Sequence, residues 1–466
     1  MTSSQPDPRV AERPIVLASN RGPLSFRLDD SGTPIARRGA GGLVSGLAPL
    51  VAGTDATWLA AAMTDGDRVV AREPLVEAEG FRARMLDIDP AEFAMAYDVV
   101  CNATLWFLYH GLFDLARRPR FDHRFTEAWD AFRSVNRSFA DAVAESAPDG
   151  AAVLVQDYHL SLVGPMVAER RPDLRTVHFS HTPFAGPDLM RVLPDRFAEE
   201  LLEGMAGHHA CGFHSARWAD AFTDSCEQII GRRPATFVAP LASDPDDIRG
   251  VAGSEACRTA VAELDDLLGD RLLLARVDRI ELSKNIVRGF HAYDDLLTRY
   301  PEWRERVVFG AFLYPSREGL PEYLAYRQEV ESVIDAINRR WRTPTWEPIL
   351  ADLSDDFPRS VAALCRYDVL LVNPIRDGLN LVAKEGPLVN DRDGLVALSP
   401  EAGVWDELAG AARRVHPFDI TGTADVLAAA LSAGGAERSV ESAELRRRAE
   451  ARTPAHWLED QLDAAG

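Results

Sequence analysis

The residues best suited to carry chemistry follow a short apolar run, Tyr367–Val372, that is typical of a buried parallel strand. A polar loop with Asp377, Gly378 and Asn380 comes next, and a helical pattern then begins. Glu385 lies in the first turns of that helix and can point back toward the loop. This order places a carboxylate and backbone N–H groups at a helix N-terminus, where open α/β sheets bind ligands carrying phosphate and hydroxyl groups. A capped helix start with a solvated aspartate is the alternative interpretation.

Two cations form a second candidate cluster. Arg279 and Lys284 follow another apolar run and are five residues apart, so one loop can bring both to one point. A diphosphate needs this pair, because an arginine fork makes bidentate contacts and a lysine supplies a compact counter-charge. Gly41 and Gly42 precede a helix and would let a phosphate approach exposed backbone. A surface charge pair and a flexible turn are the respective alternatives.

Histidine, acid and aromatic residues supply further candidates. His181 follows a predicted strand and precedes a Thr-Pro pair, which favours an extended turn. Most single histidines are structural, but Asp157 and His159 at the end of another predicted strand favour a functional site. Tyr97 and Trp106 lie on a helical pattern and suit either core packing or stacking against a sugar ring.

The elements that must position these residues alternate between short strands and longer helices, which predicts an α/β fold with parallel sheets covered on both faces. The predicted strands are Ile15–Ala18, Val153–Val155, Thr176–Ser180, Ala210–Phe213, Leu272–Ala275, Val307–Leu313, Val369–Val372 and Leu395–Leu398. Helices are predicted at Phe125–Val143, Asp195–Met205 and Pro321–Ile337, and a hairpin or mobile loop at Ser25–Arg38. A length of 466 residues predicts two domains of roughly 200 residues each. The Pro- and Asp-rich segment Pro240–Asp247 suits the linker between them.

Composition excludes several classes of protein. A net charge of -21 argues against nucleic-acid binding. The five cysteines show no CxxC spacing, which favours buried thiols in a reducing compartment over disulfides or a zinc site. The sequence contains no GxSxG, HExxH, EF-hand or Walker motif, and it predicts no metal site and no cofactor. Residues 1–13 are polar and no apolar run could span a bilayer, so we expect a cytoplasmic protein without membrane contact.

Taken in order, the clusters resemble the trehalose-6-phosphate synthases, a family of retaining sugar-nucleotide glucosyltransferases. The resemblance spans roughly residues 14–435 and rests on eight motifs. These are Ser19–Arg21, Gly41–Leu43, Tyr97 with Trp106, Asp157–His159, His181–Phe184, Val277–Lys284, Pro315–Arg317 and Arg376–Glu385. It implies two Rossmann-like domains facing a central cleft (the GT-B architecture). Residues 1–240 would bind the acceptor and residues 241–466 the nucleotide sugar, with a terminal helix at about 441–460 packing back on the first domain.

The resemblance also implies roles for individual residues. Catalytic roles fall on Arg279, Lys284, His181 and Asp157, with His181 contacting the transferred glucose. The implied donor-binding residues are Gly41, Gly42, Arg279, Lys284, Asp377, Gly378, Leu379, Asn380, Leu381, Val382 and Glu385. The implied acceptor-binding residues are Arg21, Tyr97, Trp106, Tyr158 and Arg317.

The implied reaction transfers glucose from a nucleotide-diphosphate-glucose to glucose 6-phosphate and forms α,α-trehalose 6-phosphate. Gln156 stands where the family usually has histidine, and Asn285 where it has glycine. The segment Glu385–Asn390 resembles an actinobacterial branch, which favours GDP-glucose over UDP-glucose. Another phosphorylated acceptor, such as a cyclitol phosphate or glycerol phosphate, is the alternative. A non-catalytic sensor is disfavoured because Arg279, Lys284 and Asp377 are all present. The expected partners are small-molecule substrates, and a homo-oligomer is left open.

Overall fold

The structure, a computed structural model, describes residues 13–38, 42–317 and 319–466, with only the backbone described for residues 42–45. These residues form two compact units. Unit 1 contains the described residues up to Leu241 together with Pro454–Gly466, and unit 2 contains Ala242–Thr453.

Unit 1 is built on a sheet that has eight strands among the described residues. In chain order they are β1 (Ile15–Ser19), β4 (Thr57–Ala61), β5 (Val76–Ala78), β6 (Phe81–Leu86), β7 (Ala152–Gln156), β8 (Arg175–Ser180), β9 (Ala210–Phe213) and β10 (Thr236–Val238). Their spatial order is β10-β9-β8-β7-β1-β4-β6-β5, and the pairs are parallel except β5 with β6. The predicted hairpin is present as β2 (Leu24–Leu28) and β3 (Pro34–Arg38).

Unit 2 has a parallel sheet of six strands within the described part of the chain. These are β11 (Leu272–Arg279), β12 (Val307–Tyr314), β13 (Ile349–Asp352), β14 (Val369–Val372), β15 (Leu395–Leu398) and β16 (Arg413–Arg414). The spatial order is β13-β12-β11-β14-β15-β16, so β11 and β14, which precede the two predicted donor loops, are neighbours. The predicted α/β class with parallel sheets is confirmed.

Helices cover these sheets and connect the strands. In unit 1 they are Gly42–Val51, Asp65–Val70, Pro90–Ala94, Trp106–His110, His123–Ser146, Val163–Arg170, Pro187–Met190, Asp195–Ala206, Ala216–Ile230 and Pro454–Ala465, with a π-helix at Met95–Leu105 and a 3₁₀ turn at Tyr158–Leu160. In unit 2 they are Pro245–Ala252, Glu255–Leu268, Ile286–Arg299, Pro321–Trp341, Phe357–Arg366, Val382–Val389, Trp405–Leu408, Ile420–Ser432 and Gly435–Ala449, with 3₁₀ turns at Leu282–Lys284 and Pro301–Trp303. No helix among the described residues is both long and apolar enough to cross a membrane.

The sequence predictions need two corrections. The prediction of a single terminal helix at about 441–460 is wrong, because one helix ends at Ala449 and a second begins at Pro454. A proline is favourable in the first turn of a helix and disfavoured inside one, which accounts for this break. The strand predicted to end at Ala275 continues to Arg279, so this arginine is the last residue of β11 and not a loop residue.

Candidate active site

The two predicted donor loops of unit 2 meet through an ion pair. Lys284 Nζ lies 2.6 Å from Asp377 Oδ2, and both side chains are largely buried. Asn380 Nδ2 donates to the same carboxylate oxygen at 3.1 Å. Burial lowers the pKa of Lys284, but the facing charges, Asp377 foremost, outweigh burial and raise it, so the ammonium stays charged. A residue predicted to bind diphosphate and one predicted to bind sugar hydroxyls thus share one centre.

A second cation lies beside this centre at the end of β11. Arg279 is 46% exposed, and its Nη1 lies 3.1 Å from Oε1 of Glu281, which is 2% exposed. Ser316 Oγ donates to that same oxygen at 2.9 Å. Burial alone would raise the pKa of Glu281, but the charges of Arg279, Arg317 and Lys284 hold it at about 2. Glu281 is therefore ionised at neutral pH and holds the Arg279 guanidinium in place.

The loop that carries Lys284 is stabilised by Arg276 and by the backbone conformation of Asn285. Arg276 is fully buried, its Nε donates to Asp278 Oδ2 at 2.9 Å, and its Nη2 donates to the backbone carbonyl of Lys284. Asn285 has a φ of 61°, in the left-handed region where glycine is most favourable and asparagine is tolerated. This conformation explains why asparagine can replace the glycine that is usual in the family.

Glu385 lies in the first turn of the helix Val382–Val389, which follows the Asp377 loop. Burial, with a smaller contribution from Asp247, raises the pKa of its carboxyl to about 7. Its side chain makes no hydrogen bond to a residue that the structure describes. Among its predicted neighbours in the donor site, Leu379 is buried, whereas Leu381 and Val382 are partly exposed at the N-terminus of the helix.

In unit 1, the predicted residues His181 and Asp157 are in direct contact. The backbone N–H of His181 donates to Asp157 Oδ1 at 3.2 Å, and the imidazole lies between Gln156 Oε1 at 3.0 Å and His214 Nε2 at 3.2 Å. Burial lowers the pKa of His181 to about 3, with the charge of His178 as a lesser cause. His181 is therefore a neutral imidazole at physiological pH.

The predicted acceptor residues differ in accessibility. Arg21 is exposed, and Tyr97 is partly exposed and stacks on His159 with ring centroids 5.5 Å apart. By contrast, Trp106 is 2% exposed and Tyr158 is 1% exposed. The burial of Trp106 agrees with the core-packing interpretation, and a sugar would reach either buried ring only if neighbouring side chains moved.

Arg317 of unit 2, also predicted to bind the acceptor, is partly exposed and donates through Nη1 to the Tyr323 hydroxyl at 2.6 Å. Its backbone has a φ of 47°. Of the predicted glycines, Gly41 lies outside the described residues, and Gly42 is the first residue of the helix Gly42–Val51.

Sequence reasoning missed three residues that support the site: Glu281, His214 and Gln461. Glu281 lies within the motif Val277–Lys284, and an acid between Arg279 and Lys284 could have indicated a partner for one of these cations. His214 directly follows the predicted strand Ala210–Phe213. Polar residues after other predicted strands are candidates, and the same reasoning would have found His214. Gln461 comes from the terminal helix and carries no comparable signal.

Known proteins are similar to this chain in sequence and in fold. Residues 13–465 match glycosyltransferase family 20. The trehalose-6-phosphate synthase of Mycolicibacterium smegmatis is 32% identical over 475 residues, which cover 96% of this chain and 92% of the relative. The bifunctional trehalose-6-phosphate synthase/phosphatase of Thermoproteus tenax is 31% identical over 381 residues, covering 78% of this chain and 51% of that protein.

Solved structures are similar over the same length. An E. coli structure bound with UDP-2-fluoro glucose has a TM-score of 0.85 and 26% identity, covering 97% of this chain and 98% of that chain. A UDP-forming α,α-trehalose-phosphate synthase from Burkholderia vietnamiensis has a TM-score of 0.83 and 28% identity, covering 97% and 99% of the two chains. The chain therefore belongs to glycosyltransferase family 20, the family that the resemblance to trehalose-6-phosphate synthases indicated.

Proposed function

We propose that this enzyme transfers glucose from a nucleotide-diphosphate-glucose to glucose 6-phosphate and forms α,α-trehalose 6-phosphate with retention of configuration. The observation that carries the proposal is the ion pair between Lys284 and Asp377, at 2.6 Å. It joins the side chain assigned to the diphosphate to the side chain assigned to the glucose hydroxyls. Membership of glycosyltransferase family 20 over residues 13–465 supports the same reaction.

The donor groups suit the departure of a diphosphate from the anomeric carbon. Negative charge grows on the leaving oxygen in the transition state, and fixed cations stabilise it without reorganisation. Lys284 Nζ has three N–H groups, so it can hold Asp377 and still donate to a phosphate oxygen. Arg279 is half exposed and is oriented by Glu281, which leaves the rest of its fork for the diphosphate.

Asp377 and Asn380 suit the recognition of the transferred sugar. Asp377 Oδ2 accepts from Lys284 and Asn380, which hold the carboxylate in one orientation, and a carboxylate is a strong acceptor for sugar hydroxyls. The amide of Asn380 can likewise exchange a hydrogen bond with a hydroxyl. Glu385 is assigned to the donor as well, since its carboxyl makes no hydrogen bond with the described residues.

The acceptor phosphate is assigned to Arg21 and Arg317. Arg21 is exposed and has no ion pair within residues 13–38, 42–317 and 319–466, so its fork can take a phosphate. Arg317 is fixed by the Tyr323 hydroxyl through one of its nitrogens. Both residues belong to motifs on which the family resemblance rests.

For the donor base we propose GDP-glucose over UDP-glucose. The support is the resemblance of Glu385–Asn390 to the actinobacterial branch. The E. coli relative that binds UDP-2-fluoro glucose makes UDP-glucose the alternative.

One experiment tests reaction and donor together. The protein is mixed with GDP-, UDP- or ADP-glucose and with glucose 6-phosphate, a cyclitol phosphate or no acceptor, and the released nucleotide and the glycosylated product are measured. We expect acceptor-dependent release that is fastest from GDP-glucose. Faster release from UDP-glucose would reverse the donor assignment, and turnover with a cyclitol phosphate but not glucose 6-phosphate would overturn the trehalose assignment.

A variant tests the acceptor assignment in the same assay. Arg21→Ala should raise KM for glucose 6-phosphate by roughly tenfold or more, because a charge-assisted fork to phosphate is lost. KM for the donor should stay near the wild-type value. Arg27→Ala, which removes an exposed arginine of strand β2, is the matched control. An unchanged KM for glucose 6-phosphate in Arg21→Ala would remove Arg21 from the acceptor site.

A further inference from the structure

A continuous chain of hydrogen bonds runs through His181 in unit 1. It begins at the backbone N–H of Leu241, which donates to His214 Nδ1 at 3.3 Å. His214 Nε2 lies 3.2 Å from His181 Nδ1, and His181 Nε2 lies 3.0 Å from Gln156 Oε1. Gln156 Nε2 then donates to Gln461 Oε1 at 2.8 Å.

The backbone donor fixes the direction of every later bond. Because the Leu241 N–H can only donate, His214 Nδ1 must accept, and a neutral His214 carries its proton on Nε2. His214 Nε2–H then donates to His181 Nδ1, which leaves the His181 proton on Nε2. His181 Nε2–H donates to Gln156 Oε1, the only acceptor atom of this amide. The NH₂ group of Gln156 therefore faces Gln461.

The far end of the chain has the same polarity. Gln461 accepts with Oε1 and donates with Nε2 to the Trp457 carbonyl at 3.4 Å, one turn earlier in the helix Pro454–Ala465. Gln156 and Gln461 are both fully buried, so a reversed amide would leave a buried donor facing a donor. Only one arrangement of protons satisfies the chain from end to end.

We propose that His214 and Gln461 are positioning residues that, together with Gln156, fix His181 as a neutral imidazole with its proton on Nε2. Both ring nitrogens of His181 are then engaged within the protein, Nδ1 by His214 and Nε2–H by Gln156, so His181 meets the substrate as an oriented neutral ring and not as a proton acceptor. Its effect on turnover rests on the proposed function, together with the contact between His181 and the transferred glucose that the family resemblance implies. The inference also gives the terminal helix a role in the active site, through one glutamine.

The surroundings of His181 support this assignment. Burial holds its pKa at about 3, so a positively charged imidazole, which would donate from both nitrogens, is disfavoured. Trp457, from the same helix as Gln461, packs edge-on against the imidazole with ring centroids 5.5 Å apart. The ring is thus held by packing as well as by hydrogen bonds.

The first test is spectroscopic and needs no activity. In the substrate-free full-length protein with ¹⁵N-labelled histidine, long-range ¹H–¹⁵N spectra separate protonated from unprotonated ring nitrogens. We expect His181 and His214 to be protonated on Nε2. His208 is the internal control, because its Nε2 accepts from the Gly164 N–H at 3.1 Å and its proton must be on Nδ1. A wild-type His181 with its proton on Nδ1, or averaged between both nitrogens, would overturn the proposal.

The second test separates positioning from folding. Gln461→Met keeps the side-chain volume but removes the amide. It should lower kcat roughly tenfold with little change in KM, because His181 is then no longer held in the orientation of its transition-state contact. His181 should then show exchange between tautomers. Gln228→Met is the matched control, since Gln228 is an exposed glutamine of unit 1 that takes no part in this chain of hydrogen bonds.

A conservative variant completes the design. His214→Leu should reproduce the loss in kcat, and His214→Gln, whose amide can still donate to His181, should recover part of it. Wild-type kcat and unchanged His181 signals in Gln461→Met would overturn the positioning role. A wild-type protein inactive with every nucleotide-diphosphate-glucose would overturn the proposed function instead, and the spectra would still decide the state of His181.

Discussion

At the proposed donor centre, oppositely charged side chains hold one another in place. Lys284 is paired with Asp377, and Arg279 with Glu281, so each cation is oriented before a diphosphate arrives. Preorganised charges stabilise a transition state better than mobile ones because they need no reorientation during reaction. This arrangement predicts that removing a cation affects the chemical step and not the fold.

Arg279→Ala and Lys284→Ala should each lower kcat/KM by ~10²-fold or more, since each removes a fixed charge from the leaving group. Arg299→Ala is the matched control, because that arginine pairs with Asp425 at the surface of the same unit. Steady-state kinetics and a thermal melt of each variant make the measurement. Near-wild-type kinetics in both donor variants would exclude the diphosphate role.

Glu385 provides a pH-dependent prediction. Folding raises its pKa from 4.5 to about 7, so the native state holds the proton more tightly than the unfolded chain. The free energy of unfolding should therefore fall as pH rises from about 4.5 to 7, and Glu385→Gln should remove this part of the slope. Denaturant unfolding of both proteins across this range gives the difference.

Asp247→Asn is the companion variant, because Asp247 is the acid that adds to the raised pKa of Glu385. Removing its charge should move the Glu385 transition to lower pH. If wild type and Glu385→Gln lose stability in parallel between pH 4.5 and 7, the carboxyl of Glu385 does not titrate in this window.

At the scale of elements, the turn Leu282–Lys284 and the helix Ile286–Arg299 meet at Asn285. Besides its left-handed backbone, Asn285 donates through Nδ2 to the carbonyls of Asn373 and Pro417, at 2.9 and 2.7 Å. The residue thus fixes the Lys284 turn to the loop after β14. In this chain Asn285 therefore combines a left-handed backbone with an amide that links two loops.

Substitutions at Asn285 separate these two features. Asn285→Gly keeps the conformation and loses the hydrogen bonds, at a cost of about 1 kcal/mol each. Asn285→Ala should cost about 1–2 kcal/mol more, because alanine is strained in the left-handed region. Denaturant unfolding measures both, and Glu305→Gly, at an exposed position with a φ of 62°, is the control for backbone strain alone. Equal stability of the alanine and glycine variants would show that the backbone conformation does not matter here.

The sequence predicts those strands that carry their own signal. β14 is a continuous apolar run, and β7 is one up to Gln156, so the sequence predicts both, because strands buried on both faces need such residues. The sequence analysis does not predict β4 or β6, although β6 alternates between buried and half-buried positions from Phe81 to Met85. Thr57–Ala61 is short and ends in two alanines, which do not favour strands, and it is held extended by pairing with β1 on one side and β6 on the other.

The candidate site shows the same division between local and distant information. Arg279, Lys284 and Asp377 stand at the ends of recognisable strands, so their type and position were sufficient to predict them. The contacts of Gln156 and His181 with Gln461 and His214 join segments far apart in the chain, and no local pattern encodes them. Burial of Trp106 is likewise a property of packing, which a helical pattern alone leaves open.

At the scale of the whole molecule, the chain returns to unit 1 for its last helix. Pro454–Ala465 packs on β7, β8 and β9, with Trp457 and Leu458 fully buried. Phe179 of β8 meets the Trp457 ring edge-on with centroids 5.1 Å apart. The core of unit 1 is therefore completed by a helix that follows the whole of unit 2 in the sequence.

Ending the chain at Thr453 should destabilise unit 1 and spare unit 2. Loss of a large buried side chain costs about 3–5 kcal/mol, and the truncation removes Trp457 and Leu458 together. Hydrogen–deuterium exchange resolves the two units: β7 and β8 should lose protection, while β11 and β12 of unit 2 keep theirs. Trp457→Ala in the full-length chain is the milder comparison and should weaken protection in the same strands. Equal loss of protection in both sheets would mean that the two units unfold as one, and the assignment of the terminal helix to the core of unit 1 alone would fall.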